Sequence, residues 1–395
     1  MAIIYGTDDT LYAATGTPDL YGDEHDIVSG DYAGGDDSLY GDSQSNGLYG
    51  DAFNMYNTTN YISLIGGDDL LDGADGDDRL YGDLRTAYNH SIVTGGADLL
   101  LGGNGNDYIV GDIYIADDNA SVTGGSDTID GGNDDDELHG DANWVQDYAT
   151  LAGAADDISG GAGNDDIYGD ARFVSGYAIL TGGDDVLEGA SGNDVISGDA
   201  YSVWGAANVE GGNDRLDGNA GDDILYGDVA VNTGSGVVTG GDDTLRGGQG
   251  NDELHGNGGD DVLRGGRDDD ELHGDEGDDR LFGGNGADSF VYSGVAPDAG
   301  GVLAITEGHD RINDFDASEG DVIDLDGIFD ALGITASADR ANMVNLEEEG
   351  NNTILSIADQ QDFSVTLANA SLGNTEGGLT DAELQGLGIA VSDVS

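Results

Sequence analysis

From Gly247 to Val291 the chain repeats in nines: GGQGNDELH, GNGGDDVLR, GGRDDDELH, GDEGDDRLF and GGNGADSFV. Glycine opens each nine, and aspartate holds the sixth place (Asp252, Asp261, Asp270, Asp279, Asp288). A large apolar residue holds the eighth place (Leu254, Leu263, Leu272, Leu281, Phe290). Glycine lets a tight turn take positive φ and aim its carbonyls at one point. A carboxylate beside such a turn completes a set of hard oxygen ligands that suits Ca²⁺. The same phase runs upstream in two columns. One is Asp78, Asp107, Asp136, Asp165, Asp194, Asp223 and Asp252, and the other is Asp69, Asp98, Asp127, Asp156, Asp185, Asp214 and Asp243. If most successive turns share an ion, on the order of fifteen to twenty Ca²⁺ are expected. A further acidic column, Asp83, Asp112, Asp141, Asp170, Asp199 and Asp228, follows the glycine that opens each longer unit. It could complete sites on that edge or cap turns, and both readings stay open.

Other chemistry is poorly supplied. The sequence holds no H-E-x-x-H, no G-x-S-x-G and no cysteine, so zinc-protease, serine-hydrolase and thiol chemistry lack their residues. His139, His255 and His273 take the ninth, outward place of a nine and read as solvated strand residues. His25, His90 and His309 are isolated. Carboxylate pairs occur throughout, so pairing alone nominates no general acid and base. A polysaccharide-modifying enzyme on a solenoid face stays a minor alternative, because few basic residues, Arg79, Arg172 and Arg215 among them, lie in the central coils.

Composition points the same way. The formal charge is −72, from 82 acidic and 10 basic side chains, and 72 of 395 residues are glycine. Such a composition suits a disordered acidic tail, but here the acids are phased against apolar positions. Stacked coils would set carboxylates about 5 Å apart, each pair costing on the order of 1 to 3 kcal/mol without a cation. A dozen such pairs exceed ordinary domain stability, so the metal is expected to be structural. Nucleic acid is excluded as a partner by charge. The first residues, MAIIYGTDDTLY, show no secretory leader, and no apolar run suits membrane insertion.

The elements that must position these carboxylates follow from the spacing. Nines begin at Gly73, Gly102, Gly131, Gly160, Gly189, Gly218 and Gly247, each 29 residues after the last. Between them lie units of twenty, such as GDARFVSGYAILTGGDDVLE from Gly169 to Glu188. Each coil is therefore a nonapeptide plus a twenty-residue unit that carries a hairpin insertion, always on the same edge. The apolar ladders are Leu80, Ile109, Leu138, Ile167, Ile196 and Leu225 on one sheet, and Leu71, Leu100, Ile129, Ile158, Leu187 and Leu216 on the other. The insertions read as strand, turn, strand: Ile113 to Ile115 then Ala120 to Val122, Phe173 to Val174 then Tyr177 to Ile179, Val229 to Val231 then Val237 to Val238. They hold Trp144, Trp204, Phe53, Tyr56, Tyr61, Tyr88, Tyr148 and Tyr201. Two readings coexist: an extra sheet layer that buries these residues, and an exposed aromatic ridge for a partner.

The nines G-G-x-G-x-D-x-U-x resemble the RTX calcium-binding repeats of bacterial exported proteins, which build a parallel β-roll. The expected fold is thus all-β: a parallel β-roll solenoid of 29-residue coils followed by a small β-rich C-terminal domain. Its expected parts are irregular N-terminal coils (1–72), regular inserted coils (73–246), a plain roll (247–291) and a C-terminal domain (292–395). In the last part Asp310, Ile312, Asp314, Phe315, Asp321, Ile323, Asp324 and Leu325 spell D-x-I-x-D-F-x-x-x-x-x-D-x-I-D-L. This is similar to the C-terminal target domain of type I secreted proteins. That resemblance implies partnership with the type I secretion machinery and an uncleaved signal in the tail, where Leu379 to Leu387 reads as helical and Val391 to Ser395 as extended. Asp314, Asp321 and Asp324 could hold a calcium or cap the sheet end.

The reading is a secreted or cell-surface protein, not an enzyme, that folds on external Ca²⁺ and self-associates as a surface layer, matrix or filament subunit. The alternative is an adhesin or carbohydrate-binding module that grips a surface glycan with the aromatic ridge.

Overall fold

The computed structural model describes residues 3–391 apart from 14–18, 24–25, 28–30, 56–61, 298–302, 359, 361–362, 371 and 373–379. Pro18, His25, Tyr56, Tyr61, Leu379 and the extended tail beyond Val391 therefore lie outside the described residues. The fold is a parallel β-solenoid with 29-residue coils. It divides into two compact units, residues 1–218 with 228–241, and residues 219–227 with 242–395.

In the first unit each coil has four strands. One coil reads Leu99–Asn104, Tyr108–Val110, Ile113–Ala116 and Ser121–Thr123, and the next begins at Thr128–Asn133. Every strand pairs in parallel with its copy one coil away. Leu100 faces Ile129, Ile109 faces Leu138, Ile113 faces Ala142 and Val122 faces Leu151. The insertion is strand, turn, strand, as its pattern predicts, and its strands hydrogen-bond along the solenoid to neighbouring coils. The cause is the 29-residue recurrence, which gives each insertion strand a matched partner above and below. A tight turn joins the two strands. Ala120 N–H donates to the Asp117 carbonyl at 3.0 Å, and Asp118 and Asn119 take positive φ of 49° and 67°.

Two cores result. Leu71, Leu100, Ile129, Ile158 and Leu187 meet Leu80, Ile109, Leu138, Ile167 and Ile196 in the first, all of them buried. The insertion strands enclose the second, lined by Leu84, Ala87, Val93, Ala120, Val122, Ala149, Leu151, Ala178, Leu180 and their neighbours. Full burial of each large aliphatic side chain contributes about 1.5–3 kcal/mol.

Of the four solenoid sheets the second unit keeps the two of the plain roll, and its coil shortens to two nines. Leu254 faces Leu272 and Leu245 faces Leu263, each 18 residues on. Both ladders continue past residue 291. His309–Ile312 pairs in parallel with Arg280–Asn285, and Val322–Asp324 pairs with Ser289–Val291. An antiparallel meander of Val344–Glu349, Asn352–Ile357 and Ser364–Leu367 joins the first of these strands. Of the helical stretch expected at the tail, Asp381–Gln385 forms, opened by a capping box between Thr380 and Glu383. Arg340 is buried and pairs with Asp326 (3.0 Å) and Asp330, while its Nε donates to the Ile334 carbonyl.

Candidate metal-binding columns

The sixth-position aspartates stack as the spacing predicts. On the plain edge of the first unit the backbone N–H of Asp78 donates to Asp107 Oδ1 at 2.8 Å. The same bond joins Asp107 to Asp136, Asp136 to Asp165 and Asp165 to Asp194. On the inserted edge it runs from Asp69 to Asp98, Asp127, Asp156, Asp185 and Asp214 at 2.7–2.8 Å. The second unit carries the ladders Asp223–Asp252–Asp270–Asp288 and Asp243–Asp261–Asp279. None of these aspartates is more than 3% exposed.

One carboxylate oxygen in each rung is thus satisfied by an amide, and the other is the informative one. Oδ2 of Asp69, Asp78, Asp98, Asp107, Asp127, Asp136, Asp156, Asp165, Asp185, Asp252, Asp270 and Asp279 is buried without a hydrogen-bond donor. Such a group is costly to leave unpaired. Each of these oxygens borders a space kept open by glycine. A Cβ on Gly102 would lie 2.4 Å from both Asp107 Oδ2 and the Gly131 carbonyl oxygen, and one on Gly82 would meet Asp98 Oδ2 at 2.0 Å and the Gly111 carbonyl at 1.8 Å. Carboxylate and carbonyl oxygens converge there with no donor to share them. That donor set fits Ca²⁺ and not a thiophilic metal.

The electrostatics agree. Burial pushes the carboxyl pKa up to about 6 at Asp107 and Asp252, about 7 at Asp78 and Asp165, and about 8 at Asp136 and Asp270. Like charges one coil away add to this at Asp136, from Asp107 and Asp165. A cation reverses both effects by supplying the missing opposite charge.

The columns reach further than the nines revealed. Asp279 N–H donates to Asp310 Oδ1 (2.9 Å) and Asp288 N–H to Asp321 Oδ1 (3.2 Å). Asp310 and Asp321 thereby take the places of sixth-position aspartates, with Ile312 and Ile323 continuing the apolar ladders. The signal was present, since Asp310-x-Ile312 and Asp321-x-Ile323 keep the D-x-U spacing and Gly308 keeps the glycine two places before Asp310. Asp37 precedes Asp69 on the inserted edge, and Asn46 precedes Asp78 on the plain one.

The column that opens each insertion is fully buried at Asp83, Asp112, Asp141, Asp170 and Asp199, and Asp51 extends it upstream. Each caps a turn, as when Gly96 N–H donates to Asp83 Oδ2 (3.1 Å) and Gly212 N–H to Asp199 Oδ1 (2.9 Å).

The histidines differ from expectation. His139 is fully buried, its ring 5.2 Å from those of Tyr108 and Tyr168, and Nε2 contacts Glu137. The insertion covers this outward face, with Arg172 reaching over Tyr168 to pair with Glu137. His255 and His273 stack on each other at 4.2 Å and are largely covered. Ring stacking along the strand register, rather than solvation, sets these positions.

Both readings of the insertion aromatics hold in part. The aliphatic residues face the second core, while Trp144, Phe173 and Trp204 are half-buried and cluster with ring centroids 5.1–5.9 Å apart. Tyr148 and Tyr177 stack at 5.1 Å and are exposed.

A family model described as RTX calcium-binding nonapeptide repeat (4 copies) matches residues 66–84, 91–113, 115–143, 152–171, 179–200, 208–233, 237–272 and 255–290. No curated protein matches the chain. The fold, the buried carboxylate columns and this match make the chain an RTX repeat protein whose repeats bind multiple Ca²⁺. RTX repeat proteins are generally secreted, and their rolls are typically structural or binding modules rather than catalytic ones. Among the described residues no helix is long and apolar enough to cross a membrane.

Proposed function

We propose that this is a secreted structural protein that folds outside the cell when its carboxylate columns take up Ca²⁺, and that then self-associates as a surface-layer, matrix or filament subunit. The sixth-position aspartates from Asp69 to Asp288 are the ligands, with Asp310 and Asp321 extending their columns. The observation that carries the reading is the file of buried carboxylate oxygens without donors, which ties the fold itself to calcium. With 10 basic against 82 acidic side chains, the chain cannot neutralise them with cations of its own. In a compartment poor in calcium the polypeptide stays unfolded and competent for export through a type I channel, and millimolar external calcium drives folding. The D-x-I-x-D-F segment at Asp310 to Leu325 supports that route. The sheet faces repeat every coil, which suits lateral contact between identical copies.

Electron microscopy of the purified chain, with millimolar calcium and with chelator, tests this. Ordered sheets or filaments are expected with calcium alone, and single particles at every protein concentration would sink self-assembly. A second reading, a calcium-dependent adhesin, is favoured by the partly exposed Trp144, Phe173 and Trp204 cluster and the Tyr148–Tyr177 stack, since stacked rings suit sugar faces. Replacing Trp144 and Trp204 by Ser separates the two. Assembly is expected to survive while binding on a glycan array stays at background for both proteins. A wild-type glycan signal that the double variant loses would favour the adhesin.

A further inference from the structure

We propose that Asp51, Asp83, Asp112, Asp141, Asp170 and Asp199 form a second file of Ca²⁺ sites, with an ion held between the carboxylates of successive coils, beside the file on the sixth-position aspartates. The proposal rests on the calcium reading above and adds sites to it. At Asp112, Gly125 N–H reaches both Oδ1 (3.1 Å) and Oδ2 (2.9 Å), and turn capping accounts for one oxygen of Asp51, Asp83, Asp141, Asp170 and Asp199. It leaves Asp51 Oδ1, Asp83 Oδ1, Asp141 Oδ1, Asp170 Oδ2 and Asp199 Oδ2 buried and without a donor, on side chains with no exposed surface. Capping alone needs no such burial.

Oxygens of successive carboxylates approach gaps that glycine keeps open, a donor-free oxygen beside a capping one at Gly124 and Gly182 and two capping ones at Gly153. A Cβ on Gly124 would lie 1.5 Å from Asp141 Oδ1 and 2.9 Å from Asp112 Oδ2. One on Gly153 would lie 1.6 Å from Asp170 Oδ1 and 2.7 Å from Asp141 Oδ2. At Gly182 the distances are 1.8 Å to Asp199 Oδ1 and 2.7 Å to Asp170 Oδ2. Carboxylates of adjacent coils thus point into the same small space in coil after coil. The charged groups acting on Asp141 are Asp156, Asp170 and Asp112, all acids. At the start of the column Asp23 and Asp51 bring carboxylate oxygens within 4.8 Å of one from Asp37, so the two files converge on this edge. Opposed carboxylate oxygens that share too few donors and meet no cationic side chain suit a divalent cation. The plain nines lack this arrangement. The equivalent residue there, Asp275, is part-exposed and lies beside His255. The second file is therefore a property of the inserted coils.

The alternative is that protons neutralise the column, and substitution by asparagine separates the two. Bound calcium per chain is measured by elemental analysis after exhaustive desalting, for the wild type and for Asp112→Asn with Asp141→Asn and Asp170→Asn. The triple variant borders four gaps and is expected to hold about four fewer ions while keeping its β-sheet spectrum. An unchanged ion count in a folded variant overturns the proposal, since asparagine replaces a protonated carboxyl without loss. The control Asp136→Asn, on the plain edge, must lose calcium. If it does not, the calcium reading of the sixth-position column fails instead. Should the triple variant not fold, anomalous diffraction from calcium-loaded wild-type crystals decides. Peaks between Asp112 and Asp141 are expected, and their absence where the sixth-position file shows peaks overturns the proposal.

Discussion

Stripping calcium from the chain at neutral pH is expected to abolish its β-sheet circular dichroism, and acidifying the stripped protein to about pH 5 to restore much of it. Unfolded aspartates titrate near 3.9, whereas the buried ones titrate higher, at about 6 for Asp107, about 7 for Asp78 and about 8 for Asp136. Between those values the calcium-free folded state binds protons that the unfolded state has released. Its stability therefore falls as pH rises from about 4 through about 8, because the unfolded chain binds fewer protons throughout that window. Calcium inverts the dependence. Protons compete with the ion for the same oxygens, so the affinity of the folded chain for calcium falls as pH falls. A chelated chain that keeps its full β-sheet spectrum at neutral pH would contradict the account. So would a calcium affinity of the folded chain that rises on acidification.

The sequence made the coil legible because both of its ingredients are periodic. Asp78, Asp107 and Asp136 recur at the same spacing as Leu80, Ile109 and Leu138, and a solenoid turns that spacing directly into stacking. What it left open depends on which way a strand faces. Trp144 lies half-buried while its neighbour Val145 is buried, and no repeat length distinguishes a covered outer face from a wet one. His139 shows the same limit. Its place on the strand is outward, but burial there comes from the insertion folding over it, a contact between elements that the repeat does not encode. The pairing of the insertion strands was hidden for a related reason. Strand, turn, strand is the local signature of a hairpin, and only the recurrence of the whole unit offers each strand a better partner one coil away. Asp310 and Asp321 are harder to read as column members because the glycines that open a nine are missing five and four places before them, although the D-x-I spacing that places them is in view.

The two cores differ in how they respond to mutation. Leu138 is fully buried between Ile109 and Ile167 in the first core, so Leu138→Ala is expected to cost about 2–5 kcal/mol in calcium-saturated protein, read from urea unfolding. Tyr148→Ser, at an exposed ring, is expected to stay within about 0.5 kcal/mol. The second core is lined on one side by the small residues Ala120, Ala149, Ala178 and Ala207, stacked one per coil. There enlargement rather than truncation is damaging, and Ala149→Leu should cost about 1–3 kcal/mol through overpacking. Because each coil contacts only its neighbours, the loss at Leu138 is shared with the coils carrying Ile109 and Ile167 and does not depend on the ends of the solenoid. An effect at Leu138 no larger than that at Tyr148 would mean that metal ions alone hold the coils in register. A large effect at Leu138 with calcium still saturating would show that apolar stacking and ion binding each supply a necessary share of the fold.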